Sequence, residues 1–263
     1  MTSGKQARRQ RQAHVARPPV RSTDGRRASP AVLLSALVGV IGIAVAVVLI
    51  VVFAGSGSGS SSATATVLPD ANVIARQFAG IPQKGNVLGK ANAPVTMVEY
   101  IDLQCPVCRT FETEVMPPII DRFVRTGKLR VEARPVAIIG SGVDSQRGRL
   151  GMIAAEQQDR GFNFAQLLYF NQGAEESGWL DDTMVASAAR SIPGVNMKAL
   201  LDATKSSAVG DRAQTYDQEA QADGLTGTPF VLVGKTGGRL TAVTPGSMPD
   251  VAALTTAINR ALH

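Results

Sequence analysis

Residues 31–54 run for 24 positions without a charged side chain, as AVLLSALVGVIGIAVAVVLIVVFA. A helix of that length rises about 36 Å, enough to cross a hydrocarbon core of roughly 30 Å with some tilt. A buried helix of an ordinary domain is rarely apolar all round for so long. The apolar region of a cleaved signal peptide is shorter, about 7–15 residues, although the small residues Ala63 and Ala65 fit a cleavage site. The run therefore predicts a transmembrane helix. Its direction follows from charge. Residues 1–30 carry eight basic side chains (Lys5, Arg8, Arg9, Arg11, Arg17, Arg21, Arg26 and Arg27) against one acid, Asp24, and the first basic residue after the run is Arg76. The positive-inside rule then predicts a single pass of the cell membrane, with a cytoplasmic amino terminus and everything after the span extracytoplasmic. The basic tail, 1–30, has too few apolar residues to fold and is predicted to be disordered. Residues 55–66, GSGSGSSSATAT, predict a flexible linker.

The net charge of +6 is thus a property of the tail. Residues 67–263 hold 19 basic and 20 acidic side chains, which excludes a basic nucleic-acid-binding domain. In this part the run VTMVEYI, Val95–Ile101, reads as a buried strand. Residues 105–126 place Val107, Phe111, Val115, Ile119 and Phe123 at helical spacing, with Pro117-Pro118 predicting a kink or break and Gly127 an end. Residues 129–136 alternate as a second strand, so a βαβ unit is expected. A mainly helical block follows over about 145–221. Strands are then predicted at 228–233 and 239–243, joined through Gly237-Gly238, and a last helix at 248–262.

The chain has two cysteines, in Cys105-Pro106-Val107-Cys108, where the first strand gives way to the first helix. A cysteine at a helix amino terminus faces free N–H groups and the positive end of the dipole, which favour thiolate over thiol. Pro106 suits the first turn, where its missing N–H costs nothing. Two intervening residues bring the second sulfur within bonding reach, so one cysteine can attack and the other resolve the mixed disulfide. In this geometry Cys105 is the exposed nucleophile and Cys108 the more buried partner. A metal site is not expected, because zinc usually takes four ligands and the two histidines, His14 and His263, stand near or at the chain's extremes. A structural disulfide across so short a loop would stabilise little. Two inert core cysteines are the remaining alternative. Two further features stand out. Thr228-Pro229 opens a strand although Pro has no ladder N–H, which also fits a plain loop-to-strand turn. Glu99 interrupts VTMVEYI, either as an edge or strand-end charge or as a buried proton acceptor near the disulfide with a raised pKa.

Taken in order, Ala93-Pro94-Val95-Thr96, Asp102-Leu103-Gln104-Cys105-Pro106-Val107-Cys108, Glu114-Val115-Met116-Pro117 and Gly224-Leu225-Thr226-Gly227-Thr228-Pro229 resemble the DsbA-like thiol–disulfide oxidoreductases of the thioredoxin superfamily. The resemblance covers roughly residues 87–263. It implies an α/β chain: a thioredoxin-like fold with an inserted helical domain, here preceded by one transmembrane helix, the domain occupying 67–263. It further implies that Cys105 is the nucleophile, Cys108 the resolving cysteine, Pro229 the cis-proline facing the disulfide with Thr228 before it, and Glu99 the buried acid serving Cys108. Pro106 and Val107 complete the active-site loop. There are departures. The best-known member has His in place of Val107, a residue that helps hold the thiolate, so a weaker oxidant is expected. Residues 137–144, AIIGSGVD, have fewer charged and aromatic side chains than many relatives, and the insert lacks a second cysteine pair.

Three functions fit this reading. The first is a membrane-tethered dithiol oxidase of exported thiol-containing proteins, needing no cofactor and reoxidised by a quinone-linked membrane partner of the DsbB or VKOR type. The second is the same chemistry reversed, as a reductase or isomerase. The third is a non-enzymatic tethered binding module, whose function would survive Ser at both cysteines. With no spare cysteine for a covalent dimer, a monomer is expected.

Overall fold

The computed structural model of the chain describes residues 64–140 and 142–263. The predicted tail, the predicted span and residues 55–63 of the predicted linker lie outside the described residues. Among the described residues no helix is long and apolar enough to cross a membrane. Chain order begins with α1 (Ala71–Gln77), β1 (Gln83–Lys84), β2 (Val87–Leu88) and β3 (Val95–Ile101). Helix α2 then spans 106–124, and β4 is Leu129–Pro135. The helical insert contains α3 (Val143–Glu156), α4 (Gly161–Phe170), α5 (Asp182–Ser191), α6 (Met197–Ala203) and α7 (Ser207–Ala222). The chain closes with β5 (Phe230–Lys235), β6 (Thr241–Ala242) and α8 (Val251–Leu262).

The sheet order is β1-β2-β4-β3-β5-β6. β3 pairs parallel with β4, Glu99 opposite Ala133, as the βαβ unit requires. On its other side β3 pairs antiparallel with β5, Glu99 opposite Val231. All seven residues of β3 are buried, which its near-continuous apolar run foreshadows. Val95, Met97 and Ile101 join the main core with Ile119 of α2 and Leu254 and Ile258 of α8. Val98 and Tyr100 point to a smaller cluster with Phe230, Leu232 and Ala220 of α7. Glu99 shares the main-core parity, and β3 is central, so the edge-strand reading of Glu99 fails.

Helix α2 is not divided at its two prolines. It runs unbroken from Pro106 to Val124 because π-turns at Phe111–Val115 and Ile120–Val124 flank the α-helical Met116–Ile119. Met116 N–H bonds the Phe111 carbonyl, one residue further back than an α-helix would. The wider turn delivers the chain to Pro117 and Pro118, whose missing N–H groups fall where the ladder is already shifted. Gly127, at φ 77°, ends the segment as expected, with Lys128 N–H on the Phe123 carbonyl.

In the insert, α5, α6 and α7 begin on Asp181, Asn196 and Ser206, each accepting a backbone N–H of the first turn. Gly151 lets α3 meet α4 closely: a Cβ there would lie 2.6 Å from Phe164 Cζ. Helix α1 and the β1–β2 hairpin have no counterpart in the sequence reading. β5 starts at Phe230, not Thr228, since Pro229 has no N–H for the ladder. The predicted strand at 239–243 pairs only at Thr241–Ala242.

Candidate active site

Cys105 is the N-cap of α2 in extended conformation, and Pro106 is the first helical residue. The open N–H groups of the first turn converge on its sulfur, with Cys108 N–H 3.5 Å from Cys105 Sγ. Both cysteines are free thiols in this structure. The bond from the Cys108 thiol, aided by the Cys108 and Val107 backbone and by Thr228, outweighs burial and lowers the Cys105 thiol from 9.0 to about 6. Cys108 behaves oppositely. It is fully buried, and burial followed by its contact with Cys105 raises it well above the ordinary thiol range. One sulfur is thus held as a ready nucleophile and its neighbour as a neutral thiol.

Cys105 is less exposed than the sequence predicts: 5% of its surface meets solvent, against 47% for Val107. The cover comes from far along the chain. The Thr228 carbonyl lies 3.6 Å from Cys105 Sγ, which donates to it as a thiol. The Thr228-Pro229 peptide is cis. Thr228 Oγ1 is buried with no protein hydrogen-bond partner, and Thr228 lowers both cysteines. Beside this segment a groove of about 260 Å³ is lined by Val107, Thr228, Pro229, Phe230, Val243 and Met248, among others. Its walls mix apolar side chains with Thr226, Thr228 and Ser247, and backbone from 226–229 runs along it.

The loop before Cys105 is held by residues the sequence reading did not assign a role. Asp102 Oδ2 accepts Ile138 N–H and Ile139 N–H at 2.9 and 3.1 Å, and its Oδ1 accepts Gln104 N–H at 3.0 Å. From α4, Tyr169 Oη donates to the Asp102 carbonyl at 3.2 Å. Just beyond α4, Gln172 Nε2 donates to the Leu103 and Cys105 carbonyls at 3.1 and 3.3 Å. Gln104 donates to Ser145 Oγ and accepts Glu176 N–H. The insert therefore clamps the loop that carries Cys105.

Behind the cysteines lies a buried acid pair. Glu112 stands four residues after Cys108, on the same side of α2, and faces Glu99 from β3. Their surface exposures are 4% and 1%. Burial is the main cause that raises both carboxyls, and Glu99 is raised further by the charge of Glu112 and a bond to it. Helical spacing from Cys108 was the available signal for Glu112. No local signal marked Asp102, Tyr169 or Gln172, because their partners are set by packing.

Comparison with known proteins accords with this geometry. A family model described as thioredoxin matches residues 82–240. The chain belongs to the thioredoxin family. Within the family, a "Probable disulfide bond formation protein D" of Bacillus cereus is 26% identical over 147 residues, 56% of this chain and 68% of that protein. The crystal structure of oxidised BdbD from Bacillus subtilis is similar in fold, with TM-score 0.58 at 21% identity, covering 69% of this chain and 97% of that one. A thioredoxin-like oxidoreductase from Silicibacter pomeroyi gives TM-score 0.53 at 25% identity over 73% of this chain and 96% of that one. The DsbA-like resemblance and the thioredoxin fold with its helical insertion hold. This thioredoxin-family chain is a thiol–disulfide oxidoreductase.

Proposed function

We propose that the chain is a membrane-tethered, extracytoplasmic dithiol oxidase that passes the Cys105–Cys108 disulfide to thiol-containing exported proteins. The observation that carries this reading is the split between the two sulfurs: Cys105 lowered to about 6, Cys108 buried and raised. A substrate thiolate attacks Cys105 Sγ, and the S–S electron pair leaves on Cys108, which takes a proton. The groove beside Thr228-Pro229 holds the extended substrate segment during this step. The substrate's second thiolate then attacks the substrate sulfur of the mixed disulfide and releases Cys105 as thiolate. The substrate loses two electrons and the Cys pair gains them. A quinone-linked membrane oxidase of the DsbB or VKOR type takes them up and restores the disulfide. The uncharged run at 31–54 and the basic tail before it support tethering beside such a partner. Glu99 supplies and recovers the Cys108 proton.

Magnitude decides how far the thiolate argues for oxidation. At pH 7 a thiol titrating near 6 is ionised about ten to one, whereas one at 9.0 is almost wholly protonated. The gain to the reduced form is about 1.4 kcal/mol, roughly 30 mV. The range from thioredoxin to DsbA, about −270 to −120 mV, spans roughly 7 kcal/mol. Most of the driving force of an oxidant at the DsbA end must therefore lie outside the Cys105 thiolate. The test is the equilibrium reduction potential of Cys105–Cys108 against glutathione. A value nearer about −120 mV supports the oxidase. A value near about −270 mV overturns it in favour of a reductase supplied with electrons across the membrane.

A further inference from the structure

The acid pair has an uneven environment, and the unevenness comes from the insert. Gln166 of α4 is 1% exposed. Its Nε2 donates twice to one residue: to Glu112 Oε2 at 2.8 Å and to the Glu112 carbonyl at 3.1 Å. The second bond exists because of the π-turn. With Met116 N–H on the Phe111 carbonyl, the Glu112 carbonyl is free to accept a side chain. Both partners of the amide nitrogen are acceptors, so the amide orientation is determined: reversed, its oxygen would face two oxygens. Glu99 Oε2 and Glu112 Oε1 are buried without protein partners. The groups that act on the pair are Gln166 of α4 and the two acids themselves, with no cation among them. Tyr169 of α4 senses Glu112 and both cysteines, and its hydroxyl is committed to the Asp102 carbonyl. Beside Glu99, the neighbouring strands contribute Ala133 and Val231. From α8, which packs on α2, come the apolar Leu254 and Ile258.

Two carboxyls this close in a dry site do not both ionise. We propose that Gln166 decides which one keeps the proton: by donating to Glu112 it holds that residue as the carboxylate and leaves the proton on Glu99. Gln166 is a positioning residue, acting through Glu112. Glu99 then starts each cycle loaded. When a substrate thiolate opens the disulfide, the Glu99 proton passes to the departing Cys108 sulfur, and solvent returns a proton to Glu99. When the disulfide re-forms, Glu99 releases its proton to solvent and takes up the proton of Cys108. No further oxidant or reductant enters this step.

The proposal rests on the reading of Glu99 as proton carrier, and its readout is ionisation rather than turnover. The experiment is a 13C NMR pH titration of the reduced full chain labelled at the Glu side-chain carboxyls, with the two resonances assigned through Glu99→Gln and Glu112→Gln. In the native protein Glu112 ionises at lower pH than Glu99. In Gln166→Met, of similar length but with no donor, the Glu112 titration rises by about one pH unit or more. Glu156, held by Tyr216 elsewhere in the insert, titrates unchanged and reports that the fold is intact. Native Glu99 ionising first overturns the proposal, and needs no variant. So does an unmoved Glu112 in Gln166→Met with Glu156 unchanged. A thioredoxin-like reduction potential would overturn the oxidase reading and leave this ordering standing, since either direction of exchange needs the same proton.

Discussion

At the scale of single residues, the site depends on two identical side chains given opposite surroundings. Cys105 meets the open end of a helix and Cys108 its buried first turn, three positions on. The consequence for pH is definite. The Cys105 pKa in the folded, reduced protein lies below its ordinary value. Its contribution to the stability of that form is fully present above about 9 and is lost as pH falls through about 6. Alkylation of Cys105 by iodoacetamide should follow a single ionisation with its midpoint near pH 6. Thr228→Val should move that midpoint upward by less than about one unit, because it replaces the hydroxyl that lowers Cys105 with a methyl of the same shape and leaves the carbonyl contact in place. A midpoint near 9 in the native protein would sink the account of the thiolate given above.

At the scale of elements, the insert is a packed block with an acid at its centre. Glu156, at the end of α3, is 5% exposed and accepts a bond from Tyr216 of α7 at 2.9 Å. Burial raises it to about 8, opposed by the Tyr216 bond and the Arg212 charge. The sign follows from the raised value: the native protein prefers Glu156 protonated, so stability is greatest below about 4.5 for this group and falls as pH rises through about 8. Glu156→Gln keeps the acceptor for Tyr216 and cannot ionise. Relative to the native protein it should gain on the order of 3 kcal/mol between pH 5 and pH 8 in urea unfolding. An equal effect at both pH values would mean that Glu156 is charged throughout. The π-turn in α2 belongs to the same scale, since it carries the helix past two prolines and turns the Glu112 carbonyl toward α4.

At the scale of the whole molecule, the segment that leads into the domain is fastened to the insert. Thr66 N–H donates to Ser187 Oγ at 3.1 Å and Leu68 N–H to Ser191 Oγ at 2.7 Å, both on α5. Residues 64–66, predicted as linker, therefore include a backbone group tied to the domain. Ser191→Ala leaves the Leu68 N–H buried without its partner, at a cost of about 1–2 kcal/mol. Amide hydrogen exchange at 66–68 should speed up about tenfold or more, while Cys105 alkylation stays as in the native protein. If exchange there is unchanged, the segment is held by Leu68 packing alone.

Local features were legible in the amino-acid sequence. Val95–Ile101, the Cys105–Cys108 turn and the helix that follows are neighbours along the chain, and period, capping and composition describe neighbours well. The helical block and the final helix were read for the same reason, with ends displaced by a few residues because caps such as Asp250 sit outside the apolar pattern. The break expected as one outcome at Pro117-Pro118 did not form, since a shift of hydrogen-bond register absorbs two prolines and leaves no mark in residue spacing. What the tertiary structure alone decided are the long-range contacts. Thr228 covers Cys105 from 123 positions away, and Gln166 reaches Glu112 across 54. The chain by itself determined that two thiols stand at a helix amino terminus, because both the thiols and the helix are local. Which of them is shielded, and which buried carboxyl holds a donor, depends on desolvation and directed bonds that exist only once distant elements close around the site.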